Sequence, residues 1–149
     1  GRRLLVAATS GHGFQVPEDE VVASTRKGKQ VLNVEAPADA RVCVPIGDGD
    51  RVATVAVAGD TRRLLVFGLE EVNEMLRGKG VMLQRFKDSD LVDARVFRQA
   101  DGLTWQDAAG RTFTLSAAEL REWVGERAQA GKAVPKGFPR SNRFGPAFG

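Results

Sequence analysis

"MLRGKGVML" (residues 75–83) sets two glycines and two cations inside an apolar run. Alone it suggests a phosphate-cradling glycine loop, but the layout recurs. "STRKGKQVL" (24–32) has the same basic lead, Gly-Lys pair and β-forming continuation, and "ERAQAGKAV" (126–134) is a looser copy. A nucleotide loop serves one site and appears once, so the repetition shifts attention to what surrounds each copy.

Superposing the Gly-Lys pairs at 28–29, 78–79 and 131–132 aligns the flanks. Upstream lie the β-like runs "GFQV" (13–16), "RLLVF" (63–67) and "RTFTL" (111–115), each followed by an acidic, partly helical stretch. "DARV" recurs intact at 39–42 and 93–96. Each unit opens with a strand leading to a tight turn: "LLVAATSGHG", "RVATVAVAGD", "LTWQDAAG". The period is about 50 residues, in the range of solenoids and propellers. The expected division is one domain, 1–149, of about three units at 1–47, 48–98 and 99–145.

The expected fold class is all-β. Val42, Val44 and Ile46 alternate with Arg41, Cys43 and Pro45, the period of a half-buried strand. Gly-Asp turn signals at 47–49, 59–60 and 101–102, with Gly11-His12-Gly13 and Ala109-Gly110, punctuate hairpins. One short helix is expected near 117–124, where Ser116 and Glu119 match a capping box and Gly125 offers a stop. Small β units arranged radially bury sheet faces against their neighbours, which is propeller logic.

Composition is that of an ordinary globular chain, 42% hydrophobic and 28% charged, with no apolar run long enough for a membrane span. The chain opens on "GRRLLV" without methionine and is expected to be a piece of a larger protein. Its one cysteine cannot form an internal disulfide and suits a reducing cytoplasm. Net charge is only +3, but from Arg127 onward every ionisable side chain is basic: Arg127, Lys132, Lys136, Arg140 and Arg143. Arginine's planar fork pairs phosphate oxygens two at a time. The competing account of these cations is an ordinary solvated surface.

Catalytic patterns are weak. The nearest Walker-like match, "GERAQAGKA" from Gly125, has five residues between its glycines where four are needed, and Ala133 where Ser or Thr should bind Mg²⁺. It also follows a helical stretch instead of a strand. His12 sits in a Gly-His-Gly turn, read as a hairpin tip and not a general base. Cys43 is expected to be a small buried hydrophobe. One His and one Cys do not make a zinc site without several carboxylates. Trp105 and Trp123 are expected in core packing, with base stacking as the alternative.

"RKGKQVLNV" (26–34), "RGKGVMLQRF" (77–86) and "AELREWVGERAQAGKAVPKGFPRSNRF" (118–144) together resemble the C-terminal domain of the type IIA topoisomerase A subunits, the topoisomerase IV branch in particular. No glycine-rich basic box of the gyrase branch is present. The resemblance implies a β-pinwheel, a propeller-like ring whose blades exchange strands and whose basic rim binds and bends duplex DNA. The family's rings hold more blades than the three this chain has material for, which implies a partial or a shortened ring. By residue, the resemblance puts DNA contacts at Arg26, Lys27 and Lys29, at Arg77 and Lys79, and at Arg127, Lys132, Lys136, Arg140 and Arg143.

It also implies no catalysis and no cofactor in this domain, with ATP and Mg²⁺ used by the parent enzyme in decatenation and relaxation. The chain's lack of tyrosine agrees, since the family's DNA-cleaving tyrosine lies in the N-terminal part of the same polypeptide. That part and the B subunit of topoisomerase IV are the implied protein partners, in the cytoplasm and away from membranes. The alternative is a propeller-like protein-interaction platform that does not bind DNA.

Overall fold

The computed structural model describes residues 2–26, 31–34 and 37–146. Strands β1 (Arg3–Ala8) and β2 (His12–Pro17) form a hairpin, followed by helix α1 (Glu18–Arg26) and then β3 (Ala40–Pro45). The second set is β4 (Arg51–Ala58), β5 (Thr61–Gly68), the two-residue β6 (Val81–Met82) and β7 (Asp90–Phe97). The third is β8 (Leu103–Gln106), β9 (Thr112–Leu115) and the two-residue β10 (Lys132–Ala133). The fold is all-β.

Strand order shows how the sets interlock. One sheet runs β3-β1-β2-β6 and the next β10-β5-β4-β7, while β8 and β9 form a separate hairpin. Every pairing between these strands is antiparallel. One edge strand of each four-stranded sheet, β6 in the first and β10 in the second, therefore comes from the sequence unit that follows it. This is the strand exchange of a pinwheel.

Burial explains the layering. The β4–β5 hairpin is apolar on both faces ("VATVAV", "LLVF"), as a strand pair covered from both sides must be. One face packs Val52, Leu65 and Phe67 against Leu5, Ala7 and Val42 of the first sheet, with Leu83 and Leu91. The other packs Ala53, Val55, Leu64 and Val66 against Leu103, Trp105, Leu120, Phe138 and Phe144. A third cluster lies on the first sheet, where Val6, Phe14 and Val16 meet Leu32 and Val21 of α1. Truncating a buried phenylalanine in such a core costs about 3–5 kcal/mol.

One expectation is refined and one needs correction. The α-helix is α1, whose first turn holds Glu18, Asp19 and Glu20 and whose last holds Arg26, charges that complement the helix dipole. At Ser116 the reciprocal cap does form: Glu119 N–H donates to Ser116 Oγ (3.2 Å) and Ser116 N–H to the Glu119 carboxylate (3.0 Å). The short helix expected near 117–124 then follows as a 3-10 helix, Glu119–Trp123. Beyond it Val124 must lie extended beside Val66, and Trp123 Nε1–H is held by the Ala133 carbonyl at 2.8 Å. These tertiary ties keep it short. Cys43 is exposed, not buried: the alternation along β3 turns Val42 inward and Cys43 out. Burial of its flanks, followed by the charge of Glu18, raises the thiol's pKa, which disfavours the reactive thiolate.

Candidate nucleic-acid interface

The basic glycine stretches are the loops that make the strand exchange. After the turn at Leu69–Glu71 the chain runs beside β2, where Gln15 N–H donates to the Asn73 carbonyl and Met75 N–H to the Gln15 carbonyl, both at 2.9 Å. It swings out through residues 76–80 and returns as β6 against His12 and Gly13. The next loop repeats the course. Gly125 N–H donates to the Val66 carbonyl at 2.8 Å, residues 126–131 swing out, and β10 returns against Arg63 and Leu64.

This geometry shifts the superposition expected from sequence. Gly80 and Gly131 hold the same place, each at positive φ (84° and 80°) immediately before the returning strand. A Cβ at Gly80 would collide with the Gly13 carbonyl, and one at Gly131 would stand 2.5 Å from the Leu64 carbonyl. Only glycine accommodates both demands. Lys132 thus takes the strand position of Val81 and not that of Lys79, whereas Arg77 and Arg127 lie equally far beyond the Glu74–Gln15 and Val124–Val66 bridges.

Successive loops are chained by backbone bonds. Gly78 N–H donates to the Val31 carbonyl (2.8 Å) and Asn33 N–H to the Gly78 carbonyl (2.7 Å). One repeat further on, Ala128 N–H donates to the Leu83 carbonyl (2.8 Å) and Arg85 N–H to the Gln129 carbonyl (3.1 Å). Each loop is pinned to the stretch that follows the preceding repeat's basic glycine segment.

The expected contact residues occupy several environments. Arg26 ends α1, exposed; Lys27 and Lys29 lie outside the described residues. Arg77 is 54% exposed and its Nη2 sits 2.9 Å from Glu20 Oε1, tying the loop to α1. Lys79 is exposed with no ion pair or hydrogen bond among the described residues. Arg127 is half-buried: its Nη1–H donates to the Met82 carbonyl at 2.8 Å, and its backbone N–H to Glu71 Oε1. Its buried Nε finds no hydrogen-bond partner among the described residues. Lys132, Lys136, Arg140 and Arg143 are exposed. They do not form one patch, because Lys132 lies on β10 at one edge of the second sheet while Arg143 acts on Asp93 of β7 at the other.

Two arginines absent from the sequence-based set fasten the C-terminal segment. Arg62 Nη2–H donates to the carbonyls of Pro139 (2.6 Å) and Phe138 (3.2 Å), and Nε–H to Asn142 Oδ1 (2.5 Å). Arg95 donates to the Thr104, Gly145 and Pro146 carbonyls, over the ring of Phe144. Beside it Asp93 accepts the Phe144 N–H at 2.9 Å, and burial raises that carboxyl's pKa despite the hydrogen bonds and cations opposing it. The sequence carries no signal for either clasp: Arg41, at the Arg95 position of the first "DARV", is simply exposed. Phe138 and Phe144 are buried by this docking, with Trp105 against Phe138. Trp105 is 2% exposed and belongs to the core. Among the described residues no cluster of His, Cys, Asp or Glu is placed to hold a metal, and no helix is long and apolar enough to cross a membrane.

The chain matches no family profile. It is 45% identical over 146 residues to the DNA topoisomerase 4 A subunit of Caulobacter vibrioides, covering 98% of this chain and 18% of that protein. To the corresponding protein of Rickettsia prowazekii it is 41% identical over 143 residues, covering 96% of this chain and 18% of that protein. It thus spans under a fifth of the length of these relatives. Among solved structures, the E. coli ParC C-terminal domain superposes with a TM-score of 0.73 at 26% identity, over 93% of this chain and 58% of that one. The DNA gyrase A C-terminal domain shares the fold at a TM-score of 0.65 and 15% identity, over 91% of this chain and 45% of that one. With sequence and β-pinwheel fold in agreement, the chain belongs to the family of topoisomerase IV A subunits, in the fold of their C-terminal domain.

Proposed function

We propose that this domain is the non-catalytic, duplex-DNA-binding and DNA-bending part of a topoisomerase IV A subunit. It steers duplex to the ATP- and Mg²⁺-dependent strand-passage enzyme for decatenation and relaxation. It works beside the N-terminal part of its own polypeptide and the enzyme's B subunit, in the bacterial cytoplasm at the nucleoid. The domain itself uses no cofactor. Repeats at 1–47, 48–98 and 99–145 supply successive contacts, through Arg26, Lys27 and Lys29, then Arg77 and Lys79, then Lys132, Lys136, Arg140 and Arg143. Arg127 contributes by holding its loop in shape.

The observation that supports this most is the chaining of the exchange loops, which sets basic segments at successive stations along the fold. DNA carries a charge every ~1.7 Å of its axis, so cations at intervals give affinity without a base code. Bending a 20–30 base-pair site by 40–90° costs on the order of 1–6 kcal/mol, which several arginine–phosphate contacts can offset.

Duplex binding measured against salt tests it. With four to six phosphate contacts, log affinity should fall against log salt with a slope of roughly −4 to −5, regardless of sequence. A slope near zero, or marked preference for one sequence, rules the function out in favour of a protein-interaction platform.

A further inference from the structure

His12 is the chain's only histidine. It opens β2, half-buried, at the tip of the β1–β2 hairpin, and pairs in register with Met82 of β6. Lys79 and Arg85 flank Met82 at equal distance along the chain on either side. Both are exposed, and neither side chain has a partner among the described residues. On its own element His12 meets Ser10, whose Oγ lies 3.1 Å from Nδ1.

The other charged groups on the elements packed here do not compensate. Arg127 is turned to the Met82 carbonyl. Asp39 and Asp90 stand on the segments bonded to Thr9, and neither offsets the two cations at the imidazole. Burial, then Lys79, then Arg85 hold the imidazole's pKa below its ordinary value, so it is neutral in the free domain at neutral pH. His12 on β2 and the two cations flanking β6 thus share this seam, with both cations near enough to act on the imidazole.

We propose that His12, Lys79 and Arg85 form one phosphodiester-binding cluster across the β2–β6 seam, in which His12 engages DNA as the imidazolium. In that state Nδ1–H donates to Ser10 Oγ, and Nε2–H is left for a phosphate oxygen. The proton comes from solvent, and no other bond changes. A bound phosphate cancels the field of the two cations that disfavours the charged ring. The complex therefore holds more protons than its free components, and affinity rises as pH falls through the bound-state pKa, levelling off below the free-state one. With a single histidine in the chain, His12 is the one imidazole that can carry this linkage near neutrality.

The cluster rests on the DNA-binding function proposed above, and the experiment separates the two. The His12 ring proton resonances of the intact domain are titrated by NMR, free and saturated with a duplex of about 30 base pairs at low salt. The midpoint of the His12 titration should move up by about one pH unit on binding, with duplex binding about tenfold tighter at mildly acid than at mildly alkaline pH. His12→Gln, which cannot titrate, should flatten that pH dependence. Duplex binding with an unmoved His12 titration, or a His12→Gln domain as pH-dependent as the wild type, overturns the cluster alone. No duplex binding at any pH overturns the proposed function and the cluster together.

Discussion

Arg127 and Met82 meet across the strand exchange: the arginine's Nη1–H donates to the methionine's carbonyl at 2.8 Å, fixing β6 from the loop of the following repeat. Arg77, at the matching place one repeat earlier, instead pairs with the Glu20 carboxylate among the described residues and is more than half exposed. Two arginines in equivalent loop positions thus do different work.

Arg127→Ala should destabilise the domain by about 1–3 kcal/mol, since it strands a part-buried carbonyl. Arg77→Ala should cost no more than about 1 kcal/mol, the worth of an exposed ion pair. Denaturant midpoints of the two variants check this. Equal losses would mean that the Met82 contact does not hold the exchanged strand.

Replacing Arg77 and Lys79 together by alanine should weaken duplex binding about tenfold and lower the salt slope by about one per lost contact. Arg62 and Arg63, an apparent basic pair at a hairpin turn, make a poor comparison because both are engaged in packing the last repeat. Arg98 is the better control: exposed, and already paired with Asp48 and Asp101. Its alanine variant should bind duplex within about twofold of the wild type, a change of under 0.5 kcal/mol. Fluorescence anisotropy across a salt series measures both variants.

Arg62→Ala should unfasten the C-terminal segment, removing its bonds to Phe138, Pro139 and Asn142 and its position over the Phe138 ring. The expected cost is about 2–4 kcal/mol, from lost charged hydrogen bonds and loosened aromatic packing. Limited proteolysis should then cut between Val134 and Arg143, a stretch expected to resist cleavage in the wild type.

Asp93 should give a pH signature opposite to that of most carboxylates. Burial raises its folded pKa above the unfolded value, so ionising it costs folded-state stability. Its contribution is fully present below the unfolded pKa and is lost as pH rises through the folded one. Asp93→Asn does not titrate there, so the substitution should be more destabilising near pH 4 than near pH 7. The difference amounts to about 1.4 kcal/mol for each tenfold by which burial weakens the acid. Chemical denaturation at the two pH values decides it, and a penalty that grows with pH contradicts the assignment.

The long strands are legible in the sequence because local signals agree. Alternation in β3, apolar runs in β4 and β5, and glycine turns between them all point one way. The two-residue strands are legible only as β-forming stretches after a glycine. Which sheet they join is set by Gly80 and Gly131 approaching carbonyls of another repeat, and no local pattern encodes that. At Ser116 the cap is legible and so is the short helix behind it, but not its 3-10 form, because Trp123 and Val124 are claimed by distant partners. The charge pattern does not separate Arg127, half-buried and bonded to the Met82 carbonyl, from the exposed cations Lys79, Lys132, Lys136, Arg140 and Arg143.

Because β6 completes the first sheet and β10 the second, the chain's building block is out of phase with its sheets. Removing residues 48–98 would delete β4 and β5 and leave β2 without its outer neighbour. Splicing Gly80 directly to Lys132 would instead seat Lys132–Ala133 on the β2 edge behind a glycine of the same conformation, completing the first sheet at the joint and leaving β4 and β5 as the terminal hairpin in place of β8 and β9. Lineages that gain or lose a repeat should therefore carry their genetic breakpoints at the basic glycines, within the loops, and not at the hairpin turns where the strands appear to be divided.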